Sequence, residues 1–365
     1  MKTLHAVIMA GGGGTRLWPL SRRSRPKQSL RIFDGKALFQ MAVERLHPII
    51  PPERIHVVTV AEQADMLKAI NPAVPTENYI IEPEAKGTAP VVGLAAMKLR
   101  EIDTDAVMAC LPADHFIAKA DAFQEVVLAA AELACEGDLV TIGITPAFAS
   151  TAFGYIHRGE ARGSYRGMMA YKVKAFREKP PLLLAESYVI DGEHSWNSGM
   201  FVWRAQAILE RIESLMPALH EGLMKVAVAV GKSDEKKSLE REWHALERQT
   251  IDYGVMERAQ DVSVIPAGEI GWWDIGNWEG LFAVLGTNSH GNLDLARDWL
   301  AADTRRTLVF QDRDRSTVRF IATLGVEDLI VVDTGDVLLI CPRKRAEEVK
   351  DLVEVLSSIG KDQFL

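Results

Sequence analysis

The chain has 365 residues, 48% of them hydrophobic and 25% charged, with a formal net charge of −8. This length predicts one large domain plus a smaller one, and the composition is that of a globular protein rather than a disordered chain. The acidic balance excludes an extended nucleic-acid-binding surface, and the longest apolar runs break within about ten residues, short of the roughly twenty that a bilayer-spanning helix needs. Neither nucleic acid nor membrane is therefore an expected partner.

Leu4 to Ala10 is an apolar run followed by four glycines, where a signal peptide would have a longer apolar region and a cleavage site, so it reads as a first strand. Ile55 to Val60, Ala106 to Leu111 and Leu139 to Ile144 are likewise short apolar runs bounded by turn residues, as in strands buried on both faces. Helical periodicity lies between them, over Thr88 to Ile102 and in Phe123, Val126, Val127, Ala130 and Leu133, with Asp121 as the expected N-cap. Strands alternating with helices predict an α/β fold with a mainly parallel sheet and with ligands at the carboxyl ends of its strands.

From Tyr155 to Trp203 the pattern turns irregular and predicts an insertion flanking the sheet, with strands at Tyr171 to Phe176 and Met200 to Trp203. A helix follows around Gln206 to Met216. Gly286 to Asn292, rich in Gly and Asn, reads as a linker, which divides the chain into domains 1–286 and 293–365. In the second, Leu308 to Gln311, Ser316 to Phe320, Leu329 to Asp333 and Val337 to Cys341 read as strands, and Val349, Leu352, Val353 and Leu356 mark a final amphipathic helix. Cys110, Cys135 and Cys341 stand far apart without C-x-x-C spacing, which suggests neither a disulfide framework nor a zinc site and fits a reducing cytoplasm.

The strongest chemical signal is Gly11-Gly12-Gly13-Gly14-Thr15-Arg16, with Lys27 further on, directly after the first strand. Successive backbone N–H groups in such a loop make a nest for anions, Arg16 can grip phosphate oxygens bidentately, and Lys27 adds a point charge. Alone, the segment is also readable as a Gly-rich turn with solvated basic residues. It is not a P-loop, because Gly14 is followed by Thr15-Arg16 rather than Lys-Ser/Thr, and no dinucleotide fingerprint fits the glycines. The basic run Arg22, Arg23, Arg25 and Lys27 is expected to face a small phosphate ligand or solvent.

Asp114 ends an apolar run and so lies at the ligand edge of the sheet, where it suits a hard metal ion or else caps a turn. Asp274, bracketed by Trp272, Trp273 and Trp278, is a possible partner carboxylate or else the cap of a helix starting near Asn277, while the three rings read mostly as core. Glu178 and Lys179 end another strand, and Asn197, Ser198 and Gly199 precede one. They read either as sugar and phosphate contacts or as surface charges and a turn.

Together these segments resemble the sugar nucleotidyltransferase family, and Leu17-Trp18-Pro19-Leu20-Ser21-Arg22 resembles its mannose-1-phosphate guanylyltransferase branch. Relatives acting on glucose 1-phosphate usually carry another aromatic and a Thr in that stretch. The resemblance is strong over residues 4–285, including Ile251 to Glu257, and weaker over 304–342. It implies a Rossmann-like nucleotidyltransferase domain and a small β-rich C-terminal domain resembling a shortened left-handed β-helix.

For the site, it implies that Gly11, Gly12, Gly13, Gly14 and Thr15 bind the nucleotide, with Arg16 and Lys27 as the catalytic cations on its triphosphate, and that Asp114 and Asp274 hold Mg²⁺. It further implies that Gly154, Glu178, Lys179, Asn197 and Gly199 surround the sugar phosphate. Glu82 to Pro90 resembles the nucleotide-side motif, which assigns Glu82, Thr88, Ala89 and Pro90 to the nucleotide, although Lys86-Gly87 stands where the family usually has Arg-Asn.

The implied reaction joins GTP and mannose 1-phosphate into GDP-mannose and pyrophosphate, in a cytoplasmic enzyme for which a homodimer is expected by resemblance. Longer bacterial relatives add a phosphomannose isomerase domain, for which this chain is expected to have no room, so a single activity is expected. The rivals are another pair of substrates such as UTP with glucose 1-phosphate, and a nucleotide-sugar sensor without catalysis. A dehydrogenase is the remote third, because the glycine fingerprint is missing.

Overall fold

The computed structural model describes residues 3–33, 35–229, 235–312 and 319–365. In chain order, Leu4–Met9 forms β1, Ile55–Val60 β2, Tyr79–Glu82 β3, Val107–Pro112 β4, His115–Ile117 β5 and Leu139–Ile144 β6. Tyr155–Tyr165 forms β7, Met168–Arg177 β8, His194–Arg204 β9, Val262–Pro266 β10 and Trp272–Asp274 β11. Nine of these make one sheet in the order β3-β2-β1-β4-β9-β6-β10-β8-β7. Neighbours from β3 to β4 are parallel, as are β6 and β10, whereas β9 runs antiparallel to β4 and β6, and β8 antiparallel to β10.

The sheet is thus mostly parallel, as the alternation of strands and helices predicts. The segment from Tyr155 to Trp203 departs from expectation, because it does not merely flank the sheet: β9 lies at its centre. The strand expected at Met200 to Trp203 is its second half, while polar residues hide the first half in the sequence. Ser195, Asn197 and Ser198 interrupt its apolar run, yet the Ser198 hydroxyl is satisfied within the sheet, donating to the Ile142 carbonyl at 2.5 Å. β3 has only four residues and ends on Glu82, too short for its periodicity to stand out.

On one face Val7, Met108, Cys110, Phe201 and Trp203 pack with the helices Thr88–Ile102 and Ala205–Leu215 into the main core. The alternate residues Ala6, Ile8, Ala109 and Leu111 are buried as well, and strand geometry turns them to the opposite face. The helix Ala120–Ala134 packs against β4, β6 and β9. It begins after Lys119 with no side-chain cap, so Asp121 is not the N-cap; it sits in the first turn, where a carboxylate complements the helix dipole.

The chain forms two compact units that are not consecutive in sequence. The first comprises Met1–Gly11, Gln40–Ala113 and Ile117–Trp272, and the second Gly12–Phe39, Asp114–Phe116 and Trp273–Leu365. In the second unit Leu293–Leu295, Trp299–Ala302, Leu308–Gln311, Ile321–Leu324, Leu329–Asp333 and Leu338–Pro342 form β12 to β17. They make a four-stranded sheet, β12-β14-β16-β17, and a two-stranded one, β13-β15, in which every pair except β16–β17 is parallel. Sequence-close parallel pairs that alternate between two sheets describe a short β-coil.

Of the strand expected at Ser316 to Phe320, residues 316–318 lie outside the described residues, and Arg319 and Phe320 precede rather than join β15. The segment Gly286 to Asn292, read as a linker, contains an ordered turn. The Asn288 side chain accepts from the N–H groups of His290 and Asn292 at 3.0 Å, and buried Asn292 donates to the Thr304 carbonyl at 2.8 Å. Asn side chains that mimic backbone partners make polar composition a poor sign of looseness here.

Candidate active site

In the second unit the glycine loop runs into a single 3₁₀ turn, Thr15–Leu17. Gly14 has a φ of 66°, and a side chain there would collide with the Lys27 side chain, so backbone and neighbour both demand glycine. Side chains at Gly12 or Gly13 would meet nothing within 4 Å, which leaves open space against that backbone. The Ser21 hydroxyl donates to the Gly14 carbonyl at 2.6 Å and fixes the turn.

The indoles also pin this segment. Trp18 Nε1 donates to the Phe364 carbonyl at 2.8 Å, and Trp278 Nε1 donates to the Trp18 carbonyl at 3.0 Å. Arg16 is half-exposed and pairs through Nε with Glu347 at 2.9 Å. The rest of the basic run is ion-paired: Arg22 makes a two-pronged bond to Asp336 at 2.7 Å, Arg25 pairs with Asp312 at 2.5 Å, and the exposed Arg23 lies 3.4 Å from Asp362. Only Lys27 of that run is buried.

The Lys27 ammonium donates to Asp114 at 2.8 Å and to Asp274 at 3.2 Å. The two aspartates come together because β5, which starts just after Asp114, pairs with β11, which ends on Asp274. Burial works against the charge on Lys27, but the two carboxylates outweigh it and raise its pKa. Burial likewise works to raise Asp114, yet Lys27 holds its carboxyl well below the usual carboxylate range. Asp274 does not cap the next helix, Gly280–Leu285, which follows Glu279 with no side-chain cap; Asn277 Oδ1 accepts from Gly280 N–H at 3.0 Å in the turn before it. Trp272 and Trp278 are core residues, as expected.

In the first unit Glu82 ends β3, buried, with its Oε2 lacking a hydrogen-bond partner among the described residues. Burial pushes its pKa up to about 7, against a hydrogen bond from the Lys86 backbone. Thr88 opens the helix Thr88–Ile102, and Ala89 and Pro90 are buried in its first turn. Thr88 Oγ1 accepts from Ile251 N–H at 2.9 Å, and Lys86 is spent on structure, pairing with Glu84 at 2.9 Å and donating to the His244 carbonyl at 3.0 Å.

A second constellation in this unit gathers Gly154, Glu178, Lys179, Asn197 and Gly199. A side chain at Gly154 would collide with the Glu178 carboxylate, so glycine is what lets that carboxylate lie against the chain. Glu178 pairs with Lys179 through Oε1 at 3.1 Å, while its Oε2 is buried without a partner among the described residues. Lys179 has a φ of 47°, a strained value for a side-chain-bearing residue and a common mark of functional sites.

Asn197 N–H donates to the Gly154 carbonyl at 2.8 Å, and Asn197 Oδ1 accepts from Gly199 N–H at 3.0 Å. Asn197 Nδ2 donates to Asp252 at 2.8 Å. Asp252 is absent from the candidates above, because nothing in its apolar surroundings marks an isolated Asp as chemical. Its pKa is pushed up to about 6, first by burial, opposed by the Asn197 bond and assisted by Glu178.

A profile of the nucleotidyl transferase family matches residues 5–288, and one of the mannose-phosphate isomerase/GMP-like β-helix domain matches residues 299–356. The chain is 37% identical to a mannose-1-phosphate guanylyltransferase of Escherichia coli K12, over 99% of this chain and 75% of that one. It is 34% identical to the xanthan biosynthesis protein XanB of Xanthomonas campestris pv. campestris, over 100% of this chain and 75% of the relative. Among solved structures, one from Thermus thermophilus, described as a mannose-1-phosphate geranyltransferase, superposes with a TM-score of 0.85 at 34% identity, covering 97% of this chain and 99% of that one.

Proposed function

The chain belongs to the nucleotidyl transferase family, and from that premise we propose that it transfers GMP from GTP to mannose 1-phosphate, forming GDP-mannose and pyrophosphate. The observation that carries the reaction type is the buried Lys27 held by Asp114 and Asp274 beside an open glycine backbone. Both substrates are anions, so the protein's task is to align them and offset their charge. The attacking phosphate oxygen is already ionised and needs no general base. Gly11 to Gly14 and Thr15 offer backbone N–H groups to the triphosphate. Arg16 and Lys27 stabilise the charge that collects on the leaving pyrophosphate.

The family uses a divalent metal. The residues fit one, because both aspartates already reach a single cation, the Lys27 ammonium. Two carboxylates completed by water and substrate phosphates suit Mg²⁺, which is the ion we assign. Asp114 and Asp274 would hold it, and it would supply positive charge against the phosphates.

Glu82 supports the choice of base. An ionised carboxylate accepts two parallel N–H donors, and guanine presents such a pair at N1 and N2. Uracil and thymine offer one N–H flanked by carbonyl oxygens that repel the second carboxylate oxygen. Thr88, Ala89 and Pro90 shape the same nucleotide side. Gly154, Glu178, Lys179, Asn197 and Gly199 are assigned to the sugar phosphate, with Lys179 on its phosphate and Glu178 accepting from its hydroxyls.

The proposed division of labour is a catalytic domain over 1–286 and a β-rich domain over 293–365. A homodimer in the cytoplasm is the proposed setting. No helix among the described residues is long and apolar enough to cross a membrane. Pyrophosphate release across GTP, UTP, dTTP and ATP, each with mannose 1-phosphate and glucose 1-phosphate, tests the reading. GTP with mannose 1-phosphate should lead in kcat/KM by roughly 10²-fold, the scale set by unpaired polar groups in a mismatched site. A lead for UTP or for glucose 1-phosphate overturns it.

A further inference from the structure

Asp252, half-buried, commits its carboxylate to one neutral side-chain partner, the Asn197 amide at 2.8 Å. Burying a carboxylate is costly, and an Asn or Ser at 252 would also accept that bond, so retention of the charge calls for a further reason. Orientation supplies one. The Asn197 side chain is gripped at both ends, with Nδ2 donating to Asp252 and Oδ1 accepting from Gly199 N–H at 3.0 Å. A carboxylate has no proton to donate when ionised, so only one of the two amide orientations satisfies both partners. An amide at 252 would accept either orientation by turning itself over.

The surrounding geometry shows what that orientation serves. Asp252 begins a π-helical turn, Asp252–Met256, a rare element that often accompanies functional sites. Asn197 is tied through its backbone to Gly154, against which the Glu178 carboxylate lies with one oxygen unpartnered among the described residues. Asp252, Asn197, Gly154 and Glu178 therefore form one connected set, with Lys179 as the charged neighbour of both carboxylates.

We propose that Asp252 is a positioning residue for the sugar phosphate: it locks the Asn197 carboxamide so that the second N–H of Nδ2 is aimed as a fixed donor beside the Glu178 acceptor. This rests on the assignment of Asn197 and Glu178 to the sugar phosphate. Recognition of a sugar hydroxyl needs an acceptor and a donor at fixed separation, and an amide held at one end alone, by the Gly199 N–H, would present that donor less of the time than one gripped at both ends. Asp252 thus acts on sugar-phosphate affinity through Asn197 and does not touch the reacting atoms.

The test is a double-mutant cycle on the full chain with Mg²⁺, using Asp252→Asn, Asn197→Ala and the double variant, read as KM for mannose 1-phosphate, KM for GTP, kcat and melting temperature. Asp252→Asn should raise KM for mannose 1-phosphate roughly 5- to 10-fold, the scale of replacing a charged hydrogen-bond acceptor by a neutral one, with KM for GTP unchanged. In the Asn197→Ala background the same change should add nothing, because its only route has been removed. An equal cost in both backgrounds, or a rise in KM for both substrates together with a lowered melting temperature, overturns the proposal as a structural effect. If Asn197→Ala leaves KM for mannose 1-phosphate untouched, the assignment of the sugar site fails, and this inference with it. Should Asp252→Asn not fold, Asp252→Glu, which keeps the charge but displaces it, goes through the same cycle with the same outcomes.

Discussion

Charge is managed differently among the candidate site residues of the two units. In the second, acids and bases of the loop region neutralise one another: Lys27 with Asp114 and Asp274, Arg16 with Glu347, Arg22 with Asp336, Arg25 with Asp312. In the first, Glu82 and Glu178 each bury an oxygen without a partner among the described residues, and burial lifts the pKa values of Glu82 and Asp252. A pre-paired site can exchange partners when phosphates and a metal arrive without ever burying a lone charge. An under-satisfied site instead gains from neutral donors such as the N–H groups of a base or the hydroxyls of a sugar, since each ends an existing deficit. On the proposed assignments, the triphosphate and the metal would be read by exchange on the paired side, and the base and the sugar hydroxyls by completion on the under-satisfied side.

The largest expected effect breaks the paired side. Asp114→Asn and Asp274→Asn should each lower kcat by roughly 10³-fold while the protein stays folded, and the double variant should be little worse than either, because the two act on one cation. Lys27→Met sharpens the point. Without metal it leaves two carboxylates facing each other and should lower the melting temperature. Added Mg²⁺ should then raise that temperature more in Lys27→Met than in the wild type, where the ammonium must first be displaced. Equal metal-induced shifts in the two proteins would show that Lys27 and the ion do not share a place.

An intermediate effect probes the unsatisfied side. Glu82 is raised to about 7 in the free protein, so its ionised, doubly accepting form gains population as pH rises. The sign follows: kcat/KM for GTP should climb through about pH 7, since that ratio reports free-enzyme pKa values. Glu82→Gln should lower kcat/KM for GTP by roughly 10²-fold, narrow the preference over UTP, and abolish that limb of the profile. A variant that keeps both the limb and the preference for GTP would remove Glu82 from base recognition.

How far the sequence carries this contrast depends on the kind of signal. The buried parallel strands β1, β2 and β6 are legible because burial on both faces leaves runs that are mostly apolar, with only His5, His56, Thr59 and Thr141 among them polar. β9 is legible only in its second half, where Met200 to Trp203 reads as a strand; the polar residues of its first half are satisfied by partners distant in sequence. Asp114, Lys27 and the glycines stand out by position after a strand. That Asp114 and Asp274 meet on Lys27 depends on the pairing of β5 with β11, which no local pattern contains. Asp252 escapes altogether, since its role comes from an amide 55 positions away. The partners of Arg22 and Arg25 lie still farther off, 314 and 287 positions along the chain, so a run read as facing phosphate or solvent does not show these ion pairs in its local sequence.

The smallest expected effect concerns that basic run, and it decides whether the paired side extends beyond Lys27. The Arg22 guanidinium bonded to Asp336 holds that carboxyl down at about 2. A depressed carboxylate contributes stability above its unfolded pKa of about 4, and this contribution is lost as pH falls through the folded value. Because Asp336 is 36% exposed, solvent screening limits the pair to about 1 kcal/mol or less. Arg22→Ala should therefore lower unfolding free energy by up to about that amount near neutral pH in denaturant titrations. The gap to the wild type should close between about pH 4 and pH 2 as Asp336 protonates. KM for GTP should not move, because the guanidinium is committed to Asp336 and Thr334 rather than to phosphate. If Arg22→Ala instead raises KM for GTP tenfold or more with no pH-dependent loss of stability, Arg22 is a triphosphate ligand. The second unit would then hold a cation in reserve for its ligand, as the first holds its carboxylates, and the opposition between the two would not stand.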